Sequence, residues 1–208
     1  MYFLGNDFII LSILWIIIVF GFIFMFKDKI KALLYEKSDE DLTPFIKQLK
    51  IYLKEKYPKI DFTFNFNQIL KEDSTTTTKK YLIVDNIIEQ YIALEFHPKP
   101  IGQVKSDQIW SSYAFNSKPY KNKLPDDWLQ RKSVLFQRDK QTCQRCSQKL
   151  TIKDADIFIV KPIKDGGEYY FENLVICCTD CTKIENYKRD KSTNIKNLNI
   201  KNNLYSLV

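Results

Sequence analysis

The chain has 208 residues, of which 45% are hydrophobic, and it carries a formal net charge of +7. This length fits one or two small domains and excludes a large multidomain enzyme. The charge is unevenly spread, because all 32 lysines and arginines follow residue 26, whereas one of the 25 acidic residues precedes it. The later part therefore holds an excess of basic residues that is compatible with nucleic acid or an anionic lipid surface as a partner. A lysine-rich solvated surface would explain the same excess.

Residues 8–26 form an apolar run of 19 residues without a charge. At a rise of about 1.5 Å per residue, such a helix crosses a hydrocarbon core of about 30 Å. No basic residue precedes the run and no small-residue cleavage site follows it, which argues against a cleavable signal peptide. Lysines follow directly, and the positive-inside rule then places the rest of the chain in the cytoplasm. We therefore predict a single-pass, bacterial-type inner-membrane protein, with residues 1–26 as a short outer terminus and a transmembrane helix.

Residues 27–38 are basic and are predicted to lie at the anionic membrane surface. Residues 39–97 are predicted to form a small α+β domain that begins with a helix. Apolar side chains at spacings of three and four extend this helix to about Tyr57, where Pro58 ends it. This domain has no motif that carries chemistry, so we interpret it as a spacer or a partner-docking unit.

Strands are predicted to complete this domain. Residues 60–66 alternate between apolar and polar side chains, as a half-buried strand does. Residues 71–80, with four threonines, indicate an exposed loop. Residues 81–85 and 88–96 are predicted to be two further strands, although the second could be helical. His97, the one histidine, follows in a predicted loop, where a lone histidine is more often a bystander than a ligand or a base.

Residues 98–124 are predicted to be a linker without clear periodicity. Aromatic side chains alternate there with lysines: Trp110, Tyr113, Phe115 and Tyr120 with Lys105, Lys118, Lys121 and Lys123. Such a segment could stack on bases and follow a nucleic-acid backbone. Alternatively, its aromatic side chains simply pack on the neighbouring domains.

Four of the five cysteines form two Cys-x-x-Cys knuckles. Cys143 and Cys146 make the first knuckle, Cys178 and Cys181 make the second, and 31 residues separate the two. Two knuckles at this separation can place four thiolates around one Zn²⁺, and a reducing cytoplasm keeps the thiols available. The alternative is two unrelated pairs of buried or disulfide-bonded cysteines. The fifth, Cys177, is expected to be a buried structural residue.

A set of motifs surrounds these knuckles: a helix opened by Pro125, a strand ending before Pro162, the pair Gly166 and Gly167, and Asn173. In this order, the motifs and the cysteines resemble the zinc-stapled, four-cysteine form of the HNH endonuclease family. The resemblance implies a β-hairpin followed by a helix, over residues 125–190, with 191–208 as a tail. The predicted fold class is therefore α+β: a transmembrane helix, a small α+β middle domain and a C-terminal HNH-like ββα domain.

The resemblance also implies a catalytic pair, Asp-His or His-His, in the hairpin's first strand. One member binds a divalent cation, and the histidine activates water for attack on phosphate. In this sequence Phe158 and Ile159 occupy those positions, and Thr182 stands where the family has His or Asn after the last cysteine. Asn173, which in the family orients the loop, is retained. Hydrocarbon side chains neither take a proton nor hold a cation, so structural zinc is expected and a second, catalytic cation is not.

Other acidic side chains near the hairpin keep an active metal-dependent nuclease open as an alternative: Asp156, Asp165, Glu168 and Glu172. A membrane-side protein-interaction module is a further alternative. Basic side chains around the knuckles favour contact with nucleic acid, DNA in the first place: Arg145, Lys149, Lys183, Lys188 and Arg189. We therefore predict a membrane-anchored, HNH-like zinc protein that binds nucleic acid and has a degenerate catalytic site.

Overall fold

The computed structural model describes most of the chain after residue 40 and part of the apolar N-terminal run: residues 13, 15, 16, 18–27, 41–98, 104–121, 123–191 and 193–208. Residues 18–27 are helical, and apolar side chains such as Phe20 and Met25 are exposed. The rest of the predicted transmembrane run, and all of the juxtamembrane segment except Lys27, lie outside the described residues. Within the described residues no helix is both long and apolar enough to cross a membrane. The transmembrane span therefore stays a prediction.

The middle part of the chain, fully described from residue 41 to residue 98, is helical and contains no strand. Its helices are α1 (Thr43–Lys56), α2 (Asn67–Lys71) and α3 (Thr76–Ala93). The helix predicted first is confirmed as α1, with a proline in its first turn, where the missing N–H costs no hydrogen bond. The prediction that this part is an α+β domain is wrong.

The predicted strand over residues 60–66 is an extended segment without a neighbouring strand. Its alternation is real, since Ile60 and Phe66 are buried and the polar residues between them are exposed. The side chain of Gln90 replaces a strand partner: its Oε1 accepts from Thr63 N at 2.7 Å, and its Nε2 donates to Thr63 O at 2.9 Å. Alternation here reflects burial of one side of the segment in the core, not pairing in a sheet.

Helix α3 occupies most of the region predicted as a loop and two strands. Thr75 caps it, because its Oγ1 accepts from Thr78 N at 3.2 Å. The β-branched residues that suggested strands recur at helical spacings, and they form one buried face together with a tyrosine: Ile83, Val84, Ile87, Ile88 and Tyr91. Burial of this face outweighs the modest strand preference of its residues.

The C-terminal part holds the one sheet among the described residues, so the chain as a whole is α+β. Its regular elements are α4 (Tyr113–Asn116), α5 (Trp128–Arg138), β1 (Ala155–Ile159), β2 (Leu174–Cys178), α6 (Thr179–Asp190) and α7 (Asn199–Tyr205). β1 and β2 are antiparallel, with Ala155 opposite Cys178 and Ile159 opposite Leu174. The predicted hairpin is therefore confirmed, and α6 follows it directly.

The connection from β1 to β2 requires both of its glycines. Gly166 has a φ of 81°, a left-handed conformation that favours glycine. At Gly167 a Cβ atom would lie 1.9 Å from the carbonyl oxygen of Lys161, so only glycine fits.

The tail contains the short helix α7, which packs on the rest of the chain. The Asp180 carboxylate accepts from Asn199 N at 2.9 Å and from Ile200 N at 2.8 Å, and so satisfies the first amides of α7. Tyr205 donates a hydrogen bond to Asp85 of α3. The core is continuous across these parts, since one cluster of buried hydrophobic residues includes residues of α1, α3, the hairpin, the cysteines and α7.

Arg131 of α5 is fully buried and fixes the segment before that helix. Its Nε donates to Asp127 at 2.7 Å. Its Nη1 donates to Ser117 Oγ at 2.9 Å and to the Tyr169 carbonyl at 2.6 Å, and its Nη2 donates to the Tyr113 carbonyl at 2.9 Å. A single guanidinium therefore joins three parts of the chain: residues 113–117 of the predicted linker, helix α5, and the connection between β1 and β2.

Replacing Arg131 with Met should keep the apolar stem, leave the Asp127 carboxylate without its cation and leave the Tyr169 carbonyl without its donor. We expect the free energy of unfolding to fall by about 3 to 5 kcal/mol, as when one partner of a buried ion pair is removed. Urea denaturation of the zinc-loaded chain measures this change. Gln137→Ala, on the exposed side of the same helix, is the control and should change it by less than about 0.5 kcal/mol. Equal effects of the two substitutions would contradict the prediction.

Candidate functional site

The four cysteines of the two knuckles come together as predicted. All are buried and free of disulfides, and their Sγ atoms lie within 4.8 Å of one another. A tetrahedral zinc site with Zn–S bonds of about 2.3 Å spaces its sulfurs by about 3.8 Å. The arrangement therefore fits one structural Zn²⁺, and it argues against unrelated cysteine pairs.

The first knuckle is a tight loop held by backbone hydrogen bonds. Cys143 N donates to Gln148 O at 2.9 Å, and Ser147 N donates to Cys143 O at 2.8 Å. Ser147 adopts a positive φ of 61°, which lets the chain turn back. Gln144 N donates to Ile176 O at 2.9 Å and so ties this knuckle to β2.

The second knuckle lies at the junction of β2 and α6. Cys178 ends the strand and stands at the N-cap of the helix, where its Sγ accepts from Cys181 N at 3.4 Å. Helix N-termini stabilise negative charge, which suits a thiolate at this place. The strand-to-helix turn thus directs both sulfurs toward the first knuckle.

In the absence of a cation these thiols do not all ionise together. Hydrogen bonds from neighbouring thiols, that of Cys146 first, lower the pKa of Cys143. The shared hydrogen bond with Cys143 raises the pKa of Cys178, and burial raises the pKa of Cys181. Four buried sulfurs this close can all be thiolates only if a divalent cation lies among them, and this set of donors fits zinc.

Two residues outside the knuckles contact the sulfurs. The Tyr91 hydroxyl oxygen lies 3.1 Å from Cys181 Sγ, and it donates when that sulfur is a thiolate. Burial, followed by the charge of Cys181, raises the pKa of Tyr91 and keeps its phenol protonated. Arg145 Nη1 lies 3.6 Å from the same sulfur. Zn²⁺ with four thiolates carries a net charge of about −2, and such donors offset it.

Tyr91 belongs to α3, so the middle part of the chain completes the metal centre. The sequence analysis missed this residue because it lies in a segment predicted as a strand. The one signal in the sequence is that Tyr91 falls on the apolar face of a helical pattern, and a tyrosine at such a position is ordinarily a core residue.

The structure corrects the prediction that Arg145 contacts nucleic acid. Its guanidinium is buried, with Nε 2.9 Å from Glu185 Oε1. Its Nη2 donates to the carbonyls of Tyr91 at 2.9 Å and Leu94 at 2.8 Å, at the C-terminal end of α3. Burial lowers the pKa of Arg145, but the charges of Cys181 and Glu185 outweigh that effect and raise it overall. The side chain therefore balances the metal centre and has no surface to offer a phosphate.

The other predicted basic residues lie on two elements. Lys149 is exposed on the loop of the first knuckle. Lys183 of α6 donates to the Asn197 carbonyl at 3.3 Å, and Lys188 donates to the Leu94 carbonyl at 2.7 Å.

Arg189 lies beside the positions that the family uses for catalysis. Its guanidinium carbon is 4.1 Å from the centroid of the Phe158 ring. Its two terminal nitrogens donate to the carbonyls of Ile159 at 2.6 Å and Val160 at 2.7 Å. A cleft of about 280 Å³ opens here between β1 and α6, lined in part by Ile157, Pro162, Lys164 and Asn186.

Asn173 holds the connection that follows β1. Its Oδ1 accepts from Lys161 N at 2.7 Å, and its Nδ2 donates to the carbonyls of Lys161 at 3.0 Å and Glu168 at 2.7 Å. The amide thus fixes the loop beside the cleft.

The candidate replacement ligands do not assemble into a second metal site. Within the described residues, the four cysteines are the one group of three or more His, Cys, Asp or Glu side chains that could hold a metal ion. Asp156, Asp165, Glu168 and Glu172 are not part of such a group. The buried Thr182 hydroxyl, at the family position after the last cysteine, has no hydrogen-bond partner among the described residues. No group of His, Cys, Asp or Glu side chains joins it to form a second metal site in that part of the structure.

An antiparallel hairpin, a following helix and four convergent cysteines define a zinc-stapled ββα unit. The family model described as HNH endonuclease matches residues 143–188, which contain both knuckles, the hairpin and most of α6. These residues form an HNH endonuclease domain, which confirms the resemblance found in the sequence. Neither the curated proteins nor the solved structures gave a match to the chain.

Replacing Tyr91 with Phe should remove the hydroxyl beside Cys181 and keep the ring. We expect one zinc ion per chain in both proteins, and an affinity about 10- to 100-fold lower in the variant, the usual cost of losing an outer contact to a ligand. Competition with a chromophoric chelator measures the affinity, and native mass spectrometry counts the metal. Tyr57→Phe is the control, since that ring packs on Tyr91 at 5.2 Å between centroids. Unchanged affinity in Tyr91→Phe, or a second bound zinc, would contradict this account of the centre.

Proposed function

We propose that this chain is a membrane-anchored protein whose HNH domain binds nucleic acid, DNA in the first place, and has a degenerate catalytic site. One observation carries the proposal. Phe158 and Ile159 occupy the two catalytic positions of the family, and the Arg189 guanidinium lies against the Phe158 ring. These two positions therefore offer no base, and a fixed cation lies beside them.

The chemistry of phosphodiester hydrolysis supports the proposal that the catalytic site is degenerate. Cleavage needs a group that takes a proton from water near neutral pH, and commonly a cation that polarises the phosphate. Burial lowers the pKa of Arg189, but a guanidinium stays protonated in proteins and cannot act as a base. It can still neutralise a phosphate and donate hydrogen bonds to its oxygens.

The cleft between β1 and α6 supports the proposal that the HNH domain binds nucleic acid. Lys164 and Arg189 both line it, and the Asn173 amide fixes the loop that carries Lys164. Bound zinc would fix the hairpin relative to α6 and so keep Lys164 and Arg189 at the same cleft. Lys149 and Lys183 add positive charge on the first knuckle and on α6. Contacts of this kind to phosphates give affinity without base specificity.

The membrane anchor rests on the apolar run of residues 8–26 and the lysines that follow it. Exposed apolar side chains in the described part of that run, such as Trp15 and Phe24, favour an apolar surrounding. Anchoring would confine the HNH domain to DNA handled near the cytoplasmic face of the membrane.

Binding to nucleic acid should depend steeply on salt, because phosphate contacts release counterions. We expect log K to fall linearly with log salt concentration, with a slope of about −0.9 per duplex phosphate contact. Fluorescence anisotropy with a labelled duplex measures this slope. Lys164→Gln and Arg189→Gln should each weaken binding and reduce the slope by about one. Lys47→Gln, at an exposed position of α1 remote in sequence from the HNH domain, is the control.

Plasmid nicking with Mg²⁺, Mn²⁺ or Ni²⁺ tests the catalytic half of the same prediction. Zinc-loaded chain should leave the plasmid intact with every metal. Cleavage that disappears in Asp156→Asn or Glu172→Gln would instead establish an active nuclease with unusual ligands. Affinity that ignores salt, together with one stoichiometric protein partner in a pull-down, would favour an interaction module.

The anchor predicts that the full chain sediments with membranes and resists extraction by alkaline carbonate. A chain that begins at residue 41 should stay in the supernatant, because it lacks the apolar run. Protease added to intact spheroplasts should leave the C-terminal part uncut, since that part is expected on the cytoplasmic side. Full-length chain in the soluble fraction, or cleavage from outside, would contradict the anchor or its orientation.

A further inference from the structure

The four aromatic side chains of the former linker have two different fates. Tyr113 is buried and stacks on Phe171, with ring centroids 4.7 Å apart and planes at 15°. Trp110 also packs there, edge-on to Tyr113 at 5.5 Å. Phe115 and Tyr120, in contrast, are 84% and 67% exposed. Packing on neighbouring elements therefore explains Trp110 and Tyr113, whereas it gives no structural role to Phe115 and Tyr120.

The two exposed rings line a cleft of about 480 Å³. We call the residues in and beside it the aromatic–lysine surface: Phe115, Lys118, Tyr120, Lys121, Lys123 and Leu124. Lys121 Nζ lies 4.9 Å from the centroid of the Tyr120 ring. Asp126 is the one acidic residue lining the cleft, so lysines dominate its charge.

This surface is held in place by the core beneath it. Lys123 N donates to Tyr120 O at 3.0 Å and closes a tight turn. Tyr169 N donates to the carbonyl of Ser117 at 2.9 Å, and the Ser117 hydroxyl accepts from the buried Arg131. Side chains carried on a fixed backbone lose less entropy when they bind a partner.

We propose that the aromatic–lysine surface binds single-stranded nucleic acid. Bases stack on Phe115 and Tyr120, and the lysines contact the phosphates between them. Exposed rings set among cations are the usual means of binding a single strand, since every base has a face to stack and every nucleotide a negative charge. A duplex keeps its base faces stacked on one another and offers none to these rings. The proposal rests on the proposed binding of nucleic acid and adds a second surface, outside the matched residues 143–188, that selects unpaired strands.

The test uses the full chain in detergent micelles and a fluorescent oligothymidylate of about 20 nucleotides, beside a duplex of equal length. The double variant Phe115→Ala, Tyr120→Ala should bind the single strand about tenfold or more weakly, in line with the loss of two stacked bases. Its affinity for the duplex should change less than about twofold, since duplex contacts are assigned to the other cleft. Ile51→Ala, which removes a 60% exposed apolar side chain from α1, is the control and should change neither affinity.

Further variants separate stacking from simple apolar contact. Phe115→Leu keeps an apolar side chain and loses the aromatic face, so it should also weaken single-strand binding, whereas Tyr120→Phe should not. Lys118→Gln should reduce the salt slope by about 0.7, the value for one single-strand phosphate. Zinc content and thermal unfolding confirm that each variant is folded.

Three results would overturn the assignment. Full single-strand affinity in Phe115→Leu would mean that the surface takes an apolar protein side chain and not a base. Unchanged single-strand affinity in the double variant, with duplex binding intact, would remove this surface and leave the proposed function standing. Failure of the unmodified chain to bind either oligonucleotide at low salt would remove both.

Discussion

The convergence of four thiolates on one cation is the constraint on which the rest of the structure depends. The hairpin has five residues in each strand, too little to be stable alone, and the first knuckle is attached to it by few hydrogen bonds. A bound ion ties the knuckle, β2 and α6 together at one point. The negative charge of that centre then requires compensation, and Arg145 and Tyr91 provide it. Because Tyr91 belongs to α3 and Arg145 donates to carbonyls at the C-terminal end of that helix, the metal holds the helical middle part of the chain as well as the HNH domain.

The cleft beside β1 lies at the two positions where the HNH family carries its catalytic pair. The frame is intact: the hairpin, the glycine turn, the Asn173 amide and the helix after the last cysteines. The reacting positions hold a ring and an alkyl chain, and these pack as ordinary strand residues do. The Arg189 guanidinium covers the Phe158 ring and places a fixed positive charge in the cleft. Under the proposed function, recognition of phosphate and hydrolysis of phosphate would be separable in this fold, because they use different groups.

Local sequence was enough to predict the cysteine cluster, the glycine turn and α5, whereas the resemblance to the HNH family supplied the hairpin. These features depend on contacts between residues close in sequence or on ligand geometry that tolerates few alternatives. The strands predicted over residues 60–66, 81–85 and 88–96 are wrong for a different reason, and the helical alternative for the last of them is confirmed as far as Ala93. Alternating and β-branched residues also suit a segment or a helix that packs on one side, and only the tertiary partner decides. The roles of Arg145 and Tyr91 could not be foreseen, since both arise where α3 meets the first knuckle.

The contact between Tyr91 and Cys181 joins residues that are 90 positions apart in the chain. Contacts of such separation slow folding, because a long loop must close before the contact can form. The four sulfurs can meet only after the chain has been synthesised through Cys181, 90 positions after Tyr91. Until then α3 lacks the contact that Tyr91 makes with the second knuckle, so completion of the helical middle part is coupled to the capture of zinc.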